Sequence, residues 1–253
     1  MNYLWILIVF SLLAAALVPL KADEPVAGPW LKKSQPVRIM PVGDSITEGK
    51  FVNGGYRKPL GQMLRQAGYD VTFVGKEDNG EPANHTGFSE GMDNPQHEGY
   101  GSAPVAAFLD GMNLENHQVL PIGTAIAKHR PDLLLVMLGT NDLVYHQKPD
   151  ATAALMQKLV DAIYAQNPNS MVLIASIPPL SDPQSQVDAY NALLKQLVEK
   201  ESATHKIGFA DIHSVFGPGD MGGDKVHPSQ SGYDKMAALW YTTLTGQPAP
   251  ATP

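Results

Sequence analysis

The 253-residue sequence contains no cysteine. This absence excludes disulfide bonds, a thiol nucleophile and cysteine-ligated zinc, and it leaves the redox compartment open. A chain of this length buries a large core as a single α/β domain, so stability requires no covalent or metal cross-link. Basic residues are also few and scattered: 18 lysines and arginines stand against 25 acidic residues, for a formal net charge of −7. The balance argues against nucleic acid as a partner, because a phosphate-backbone binder needs a basic face.

Long apolar runs are missing except at the N-terminus. Residues 3–18 are almost continuously apolar, and Pro19 then interrupts the run. The run is shorter than the roughly 20 residues of a transmembrane helix. It predicts a signal peptide over residues 1–22, cleaved after Ala22, and hence a secreted or periplasmic protein without membrane contact after cleavage. The first residues, MNY, lack the usual positive charge, so an uncleaved membrane anchor is the alternative.

From residue 37 onwards, short apolar runs alternate with helical patterns. The apolar runs are flanked by turn residues, and this pattern predicts buried strands. The helical segments repeat apolar residues at a spacing of three to four. The predicted strands are 37–42, 69–75, 132–139, 170–177 and 207–212, and the predicted helices are 56–68, 150–167, 186–202 and 229–244. This alternation predicts a three-layer α/β/α sandwich with a mainly parallel, flavodoxin-like sheet of about five strands. We expect one domain over residues 37–246, a lead-in at 23–36, and a flexible proline-rich tail at 247–253.

One segment and three short motifs depart from this alternation. Residues 76–104 are rich in Gly, Asn, Asp, Pro and His, and loops of that length in compact domains are usually functional. The three motifs follow predicted strands: Gly-Asp-Ser at 43–45, Gly-Thr-Asn-Asp at 139–142, and Asp-Lys-Val-His-Pro at 224–228. Ligands of doubly wound sheets bind beyond the carboxyl ends of the strands, where these motifs fall.

Each motif has a structural interpretation beside a catalytic one. Asp44 and Ser45 are residue types that cap helices and form turns, and a single loop histidine is often merely solvated. Together, however, the motifs contain what acyl transfer requires: a serine hydroxyl, a histidine that accepts its proton, and a carboxylate that orients the imidazole. Backbone amides and the Asn141 side chain are suitable donors to an oxyanion. The G-x-S-x-G elbow of α/β-hydrolases is absent around Ser45.

The motifs GDSIT, GTND and D-x-x-H-P, in this order, resemble the sequence blocks of the SGNH (GDSL) hydrolase family over essentially the whole mature chain. The resemblance implies Ser45 as nucleophile, His227 as general base, Asp224 as the residue that orients His227, and Asn141 as an oxyanion donor. It also implies that the Ser45 amide contributes to the oxyanion hole. No cofactor and no metal ion is implied for this chemistry.

The segments GGYRKPL (54–60) and HEGYGSA (97–103) resemble the carbohydrate-esterase branch of that family, which contains acetylxylan esterases. In that branch the second block often reads HEGxSG, and its last glycine donates an amide to the oxyanion hole. The chain has HEGYGS instead, so the role is assigned to Gly101, with Gly99 and the Ser102 amide as alternatives.

The resemblance implies removal of acetyl groups from a polysaccharide or oligosaccharide such as xylan. A lipase or thioesterase for longer acyl chains, and a non-catalytic carbohydrate-binding protein, are the alternative functions. The sequence fixes neither the sugar, nor the deacetylated hydroxyl, nor the oligomeric state.

Further residues near these motifs are candidates for substrate binding or for rival chemistry. Asp44 is expected to brace the nucleophile turn and to border the substrate. Asp142 is expected to cap the element that follows the strand at 132–139. Asp211 and His213 form a rival acid–base pair. The spacing of His85, Asp93 and His97 matches no compact metal motif. Four aromatic residues are placed near the site as candidates to stack on sugar rings or to pack in the core: Tyr56, Phe88, Tyr100 and Tyr145.

Overall fold

A computed structural model of the protein describes residues 29–78, 89, 91–115, 117–181 and 184–250. The predicted signal peptide, residues 23–28 of the lead-in, His85, Phe88 and the last three residues lie outside the described residues. Within the described ranges, no helix combines the length and apolar character needed to cross a membrane.

The predicted strands form one central sheet. In the described residues the strands are β1 (Val37–Gly43), β2 (Val71–Phe73), β3 (Glu98–Gly99), β4 (Met112–Leu114), β5 (His117–Val119), β6 (Leu133–Met137), β7 (Met171–Ala175) and β8 (Ile207–Ala210). The central sheet has the order β2-β1-β6-β7-β8, all parallel, and β3 pairs additionally with β1. The predicted sheet of about five parallel strands is therefore confirmed. The antiparallel hairpin β4–β5 was not predicted.

Helices flank the sheet and bury its apolar strands. They are α1 (Ser45–Glu48), α2 (Arg57–Gln66), α3 (Ala107–Asp110), α4 (Ile122–His129), α5 (Thr140–Val144), α6 (Pro149–Gln166), α7 (Gln184–Glu201) and α8 (Gln230–Thr245), with a 3₁₀ turn at Ile212–Val215. Helix α2 packs with α8, whereas α4 and α7 both pack with α6. All five residues of β6 are buried, as expected for a parallel strand covered on both faces. The predicted three-layer α/β/α architecture is confirmed.

The pairing of β1 determines which loops reach the site. Its first three residues pair with β2, and its last two, Val42 and Gly43, pair with Glu98 and Gly99 of β3. On its other side β1 pairs with β6, with Gly43 opposite Met137. The segment predicted as a long polar loop therefore contributes a short strand, which places the residues after Gly99 beside the end of β1.

Both ends of the described chain pack against the domain. Trp30 and Leu31 are buried, and the Leu31 amide donates to the carbonyl of Leu244 in α8 at 3.0 Å. Ala249 is half-buried against the core. The predicted boundaries at 37 and 246 remain predictions.

Candidate active site

The first motif forms a tight turn between β1 and α1. Asp44 precedes the helix with extended backbone, and its carboxylate accepts a hydrogen bond from the Ile46 amide at 2.9 Å. Ser45 is the first residue of the helix. A Cβ atom at Gly43 would lie 2.1 Å from the Thr47 hydroxyl oxygen, so only glycine permits this close approach. The sequence thus folds into a turn that places the Ser45 hydroxyl at the carboxyl end of the sheet.

The Ser45 hydroxyl contacts the histidine of the third motif. Its Oγ lies 2.8 Å from Nε2 of His227, and Nδ1 of His227 lies 2.5 Å from Oδ2 of Asp224. Because a carboxylate only accepts hydrogen bonds, Nδ1 carries the proton and Nε2 is left to accept the serine proton. Ser45 and His227 are 182 residues apart in the sequence. Together with Asp224 they form a continuous hydrogen-bonded relay of the kind that activates a serine.

Backbone hydrogen bonds hold His227 in a compact turn ahead of α8. The Gly222 amide donates to the His227 carbonyl at 2.7 Å, and the Ser229 amide donates to the Asp220 carbonyl at 2.8 Å. Asp220 is itself buried and accepts from Lys235 of α8 at 2.5 Å. The His227 ring is consequently fixed by its own turn and by the helix that follows.

Asp224 is ionised over the whole range in which the site would work. Burial on its own would raise the pKa of its carboxyl group, but three hydrogen bonds lower that pKa to about 2. They come from the His227 side chain and from the backbone amides of His227 and Val226. A permanently charged Asp224 stabilises the imidazolium that forms when His227 takes up a proton.

The second motif places Asn141 in the first turn of α5, beyond the carboxyl end of β6. The Asn141 side-chain amide donates one hydrogen bond to the Ala103 carbonyl at 3.2 Å. An amide group has two N–H bonds, so one donor remains available. Gly139 adopts φ = +114°, and a Cβ there would lie 2.4 Å from the ring of Tyr190. This glycine allows the turn to pack directly on α7.

Asp142 does not cap its own helix, contrary to the sequence expectation. Helix α5 has no side-chain cap, and the buried Asp142 carboxylate instead accepts from the Val105 amide at 3.0 Å. Burial raises the pKa of this carboxyl group. Together, Asn141 and Asp142 tie the loop that follows β3 to the end of β6.

The loop after β3 turns sharply at Gly101 and Ser102. The Ala103 amide donates to the Tyr100 carbonyl at 3.1 Å, and Ser102 has φ = +63°. Positive φ at the third residue is typical of a type II turn, in which glycine is favoured. Residue 102 is also where the family block HEGxSG has its last glycine. In the described part of the chain, neither the Gly101 nor the Ser102 amide donates to a protein acceptor.

Three of the four candidate substrate contacts are placed away from solvent. Asp44 is buried beneath the turn, where burial raises the pKa of its carboxyl group to about 7. Tyr56 is fully buried beside Trp240, and Tyr100 is fully buried with its hydroxyl donating to Glu98. Each of these side chains packs inward from the turn or strand that carries it, and a contact with substrate stays a prediction for all three. Tyr145 is exposed at the end of α5, so its role as a sugar contact stays a prediction.

The rival acid–base pair lies elsewhere. The His213 ring contacts the Ile177 carbonyl and the Asn191 side chain, and Asp211 accepts from the Ser176 hydroxyl. Both residues are accounted for by hydrogen bonds around the ends of β7 and β8. Within the described residues, no group of three or more His, Asp or Glu side chains could hold a metal ion. His97, which immediately precedes β3, is buried, and Asp93 forms an ion pair with Arg65.

Phe51 is a residue of the site that sequence reasoning missed. It lies in the turn after α1, its side chain is 62% exposed, and its ring contacts the His227 ring edge-on at 5.3 Å between centroids. A cavity of about 650 Å³ opens here, within the size range of small-molecule sites. The signal was an aromatic residue between the nucleophile motif and the Asn-Gly-Gly turn at 53–55, where no apolar periodicity requires one.

Comparisons with known proteins agree with this geometry. The sequence model of the GDSL-like lipase/acylhydrolase family matches residues 42–235. A multidomain esterase from Ruminococcus flavefaciens is 34% identical over 222 residues, which are 83% of this chain and 28% of the relative. The chain thus spans little more than a quarter of that relative's length.

Solved structures similar to this chain include two esterases. A family 3 carbohydrate esterase of Clostridium thermocellum has 28% identity and a TM-score of 0.68, covering 83% of this chain and 95% of that one. An acetyl esterase variant whose crystal structure contains an acetate ion has 25% identity and a TM-score of 0.69, covering 82% and 96%. Since the family match runs from the end of β1 into α8 and includes Ser45, Asn141 and His227, the chain belongs to the GDSL-like lipase/acylhydrolase family and has the SGNH hydrolase fold.

Proposed function

We propose that the protein is a serine esterase that removes acetyl groups from a carbohydrate such as xylan. The observation that carries the proposal is the hydrogen-bonded relay from Ser45 through His227 to Asp224, at 2.8 Å and 2.5 Å. A binding module has no need of such a relay. It is the arrangement that turns a weakly nucleophilic hydroxyl into an attacking group.

The reaction begins when Nε2 of His227 accepts the Ser45 proton as Oγ attacks the ester carbonyl carbon. The carbonyl oxygen becomes an oxyanion, and Asp224 stabilises the resulting imidazolium. When the tetrahedral intermediate collapses, the bond to the sugar oxygen breaks and His227 gives its proton to that oxygen. The sugar leaves with a free hydroxyl, and Ser45 is left carrying the acyl group.

In the second step water takes the place of the sugar hydroxyl. His227 accepts a proton from the water as its oxygen attacks the acyl carbon, and then returns a proton to Oγ of Ser45. The products are the carboxylic acid and the regenerated enzyme. No cofactor takes part in either step.

The oxyanion is held by three donors: the Ser45 amide, the free N–H of the Asn141 side chain, and one amide of the turn after β3. For the third donor we favour Ser102 over Gly101. Residue 102 has the left-handed backbone and the position of the family glycine, and any residue's amide donates equally well. The hydrogen bond from Asn141 to the Ala103 carbonyl orients the side chain and links it to this turn.

The names of the structural relatives support the proposed substrate. One is a carbohydrate esterase, and the other is an acetyl esterase with bound acetate. The polar groups that line the cavity beside His227, among them Asn53, Ser229 and Gln230, suit a substrate rich in hydroxyl groups better than a long acyl chain.

The proposal is tested by measuring acetate release from acetylated xylan beside hydrolysis of nitrophenyl esters of increasing acyl length. We expect release from xylan and rates that fall steeply beyond the acetyl ester. Ser45→Ala should abolish both activities, whereas Ser214→Ala, which changes an exposed serine on the 3₁₀ turn, is the matched control. Rates that rise with acyl length, without release from xylan, would instead assign a lipase or thioesterase.

The protein is further proposed to be exported, on the basis of the apolar segment at residues 3–18. The full chain would be expressed in a bacterium, and the N-terminus of the protein outside the cytoplasmic membrane would be sequenced. Export with cleavage predicts Asp23 as the first residue. Full-length protein in the membrane fraction would indicate the uncleaved anchor.

A further inference from the structure

We propose that Phe51 is the sugar platform of the site, meaning the aromatic ring on which a sugar ring of the acetylated substrate stacks. The inference rests on the proposed carbohydrate esterase function and adds to it the residue that recognises the carbohydrate. It is carried by three independent observations: the exposure of the ring, its position beside His227, and its backbone conformation.

The Phe51 ring is exposed at the surface of the domain. Large apolar side chains are more often buried, and in the described part of the chain only Phe51, Met112 and Tyr145 are exposed. Phe51 is 62% exposed, although the Lys50 ammonium lies 5.3 Å from its ring centroid and the His227 ring contacts its edge. A ring that gains little from burial yet lies next to the general base is well placed to contact a substrate.

The backbone at Phe51 is strained, with φ = +65°. This left-handed conformation is a true outlier for a bulky residue and is usually occupied by glycine or asparagine. Such strain persists only where surrounding contacts enforce it, and it concentrates at functional sites. Here the enforcing contacts are hydrogen bonds of Lys50, whose amide donates to the Ser45 carbonyl at 2.9 Å and whose carbonyl accepts from Tyr233 at 3.3 Å.

The surroundings of the ring have the chemistry of a sugar site. Phe51 borders the cavity together with Asn53, Asp224 and Gln230, whose side chains carry hydrogen-bond donors and acceptors. The lining thus combines apolar surface, from Phe51, Val52 and Pro228, with hydrogen-bonding side chains, which matches a pyranose with its apolar C–H face and its rim of hydroxyl groups. Gly222, Gly223 and His227 also border the cavity. Tyr145, by contrast, does not border this cavity.

The experiment compares Phe51→Asn with Phe51→Trp in the mature protein. Asparagine tolerates the left-handed backbone and removes the ring, whereas tryptophan keeps an aromatic face. The measurement is kcat/KM for acetylated xylo-oligosaccharides, divided by kcat/KM for nitrophenyl acetate, which carries no sugar. Loss of a stacking contact predicts that Phe51→Asn lowers this ratio about five- to tenfold, mainly through KM of the oligosaccharide. Phe51→Trp should keep the ratio close to that of the wild type.

Two controls complete the design. Met112→Asn, which removes an exposed apolar side chain from the β4–β5 hairpin, should leave the ratio unchanged. Thermal unfolding of Phe51→Asn should show an unchanged or raised midpoint, because the substitution relieves backbone strain and removes little buried surface.

Three outcomes would overturn the inference. Equal losses on both substrates would show that Phe51 positions His227 instead of binding sugar, and an unchanged ratio would show that the ring is not used. If the unmodified protein cleaves nitrophenyl acetate but no acetylated sugar, the proposed carbohydrate substrate fails and the sugar platform fails with it. Because the wild-type assay precedes the variants, this last failure is distinguished from a failure of Phe51 alone.

Discussion

The groups that meet at Ser45 belong to two halves of the site that differ in the exposure of their carboxylates. The nucleophile half, residues 43–49 and 139–145, buries nearly all of its polar side chains, and Asp44, Thr140 and Asp142 are almost inaccessible to water. The base half, residues 220–230, also buries Asp220 and His227, but its Asp224 side chain is 38% exposed. The nucleophile half borders the folded core, whereas the base half borders the cavity.

The difference predicts where a substitution alters stability in addition to its effect on the reaction. A polar atom in the nucleophile half is surrounded by protein, so a change in its charge or hydrogen bonding alters the free energy of unfolding. The Asp224 carboxylate meets solvent on one side, so a change there is expected to alter the reaction more than the free energy of unfolding. The predictions that follow test this division, beginning with the largest expected effect.

The sharpest test of the base half is His227→Ala. Removal of the proton acceptor should lower kcat for ester hydrolysis by about 10⁴-fold or more while the protein stays folded. His213→Gln is the matched control, because it changes the histidine of the rival pair and should leave kcat within about twofold. A severe loss in the control would return the role of base to His213.

Asn141→Ala tests whether the partly buried donor acts in the reaction. Loss of one oxyanion donor should lower kcat by about 100- to 1,000-fold with little change in KM. Asn169→Ala, which truncates an exposed asparagine before β7, serves as the control. Activity of Asn141→Ala close to that of the wild type would exclude the assigned role.

Asp44→Asn tests the cost of burying a carboxyl group in the nucleophile half. Burial raises the pKa of Asp44 from 3.8 to about 7 in the folded protein, so the folded state binds the proton more tightly than the unfolded state. Ionisation of Asp44 therefore removes stability as pH rises from about 4 to about 7. Urea unfolding at pH 5 and pH 8 should show that the variant gains roughly 2–3 kcal/mol relative to wild type between these values. Parallel stability profiles of the two proteins would contradict this account.

Ser102→Gly tests the strained turn that adjoins both halves. Glycine adopts φ = +63° without steric penalty. The free energy of unfolding of the variant, measured in urea, should therefore be about 1 kcal/mol higher than that of the wild type, and its activity should be unchanged. Ser102→Val should have the opposite effect on stability. A destabilised glycine variant would show that the serine side chain has a role of its own.

Gly101→Pro and Gly101→Ala distinguish the two candidate amides of the oxyanion hole, with the smallest expected difference. Proline suits the second position of a type II turn but has no N–H, whereas alanine keeps the amide. If Ser102 supplies the donor, both variants should have kcat values within a few fold of each other. A kcat for the proline variant 100-fold below that of the alanine variant would assign the donor to Gly101.

The sequence by itself predicted the sheet and the three residues of the relay. Leu133–Met137 is apolar without interruption, and Val37–Gly43 is apolar apart from Arg38 and its terminal glycine, with only Arg38 exposed; such runs form strands covered on both faces. Because parallel strands end at one edge, motifs that follow them are brought together whatever the loops do. Ser45 and His227 meet for that reason, although 182 residues separate them.

Only the tertiary structure decided where individual side chains point and which residues they contact. Tyr56 and Tyr100 stand beside motifs in the sequence, yet the pairing of β3 with β1 and the packing of α2 on α8 turn their rings into the core. Asp142 binds an amide 37 residues away instead of capping its helix. Phe51 and Ser102 adopt left-handed backbones that their residue types disfavour. Periodicity and composition report a residue's own preference, and these positions are decided by contacts between segments distant in the chain, which override that preference.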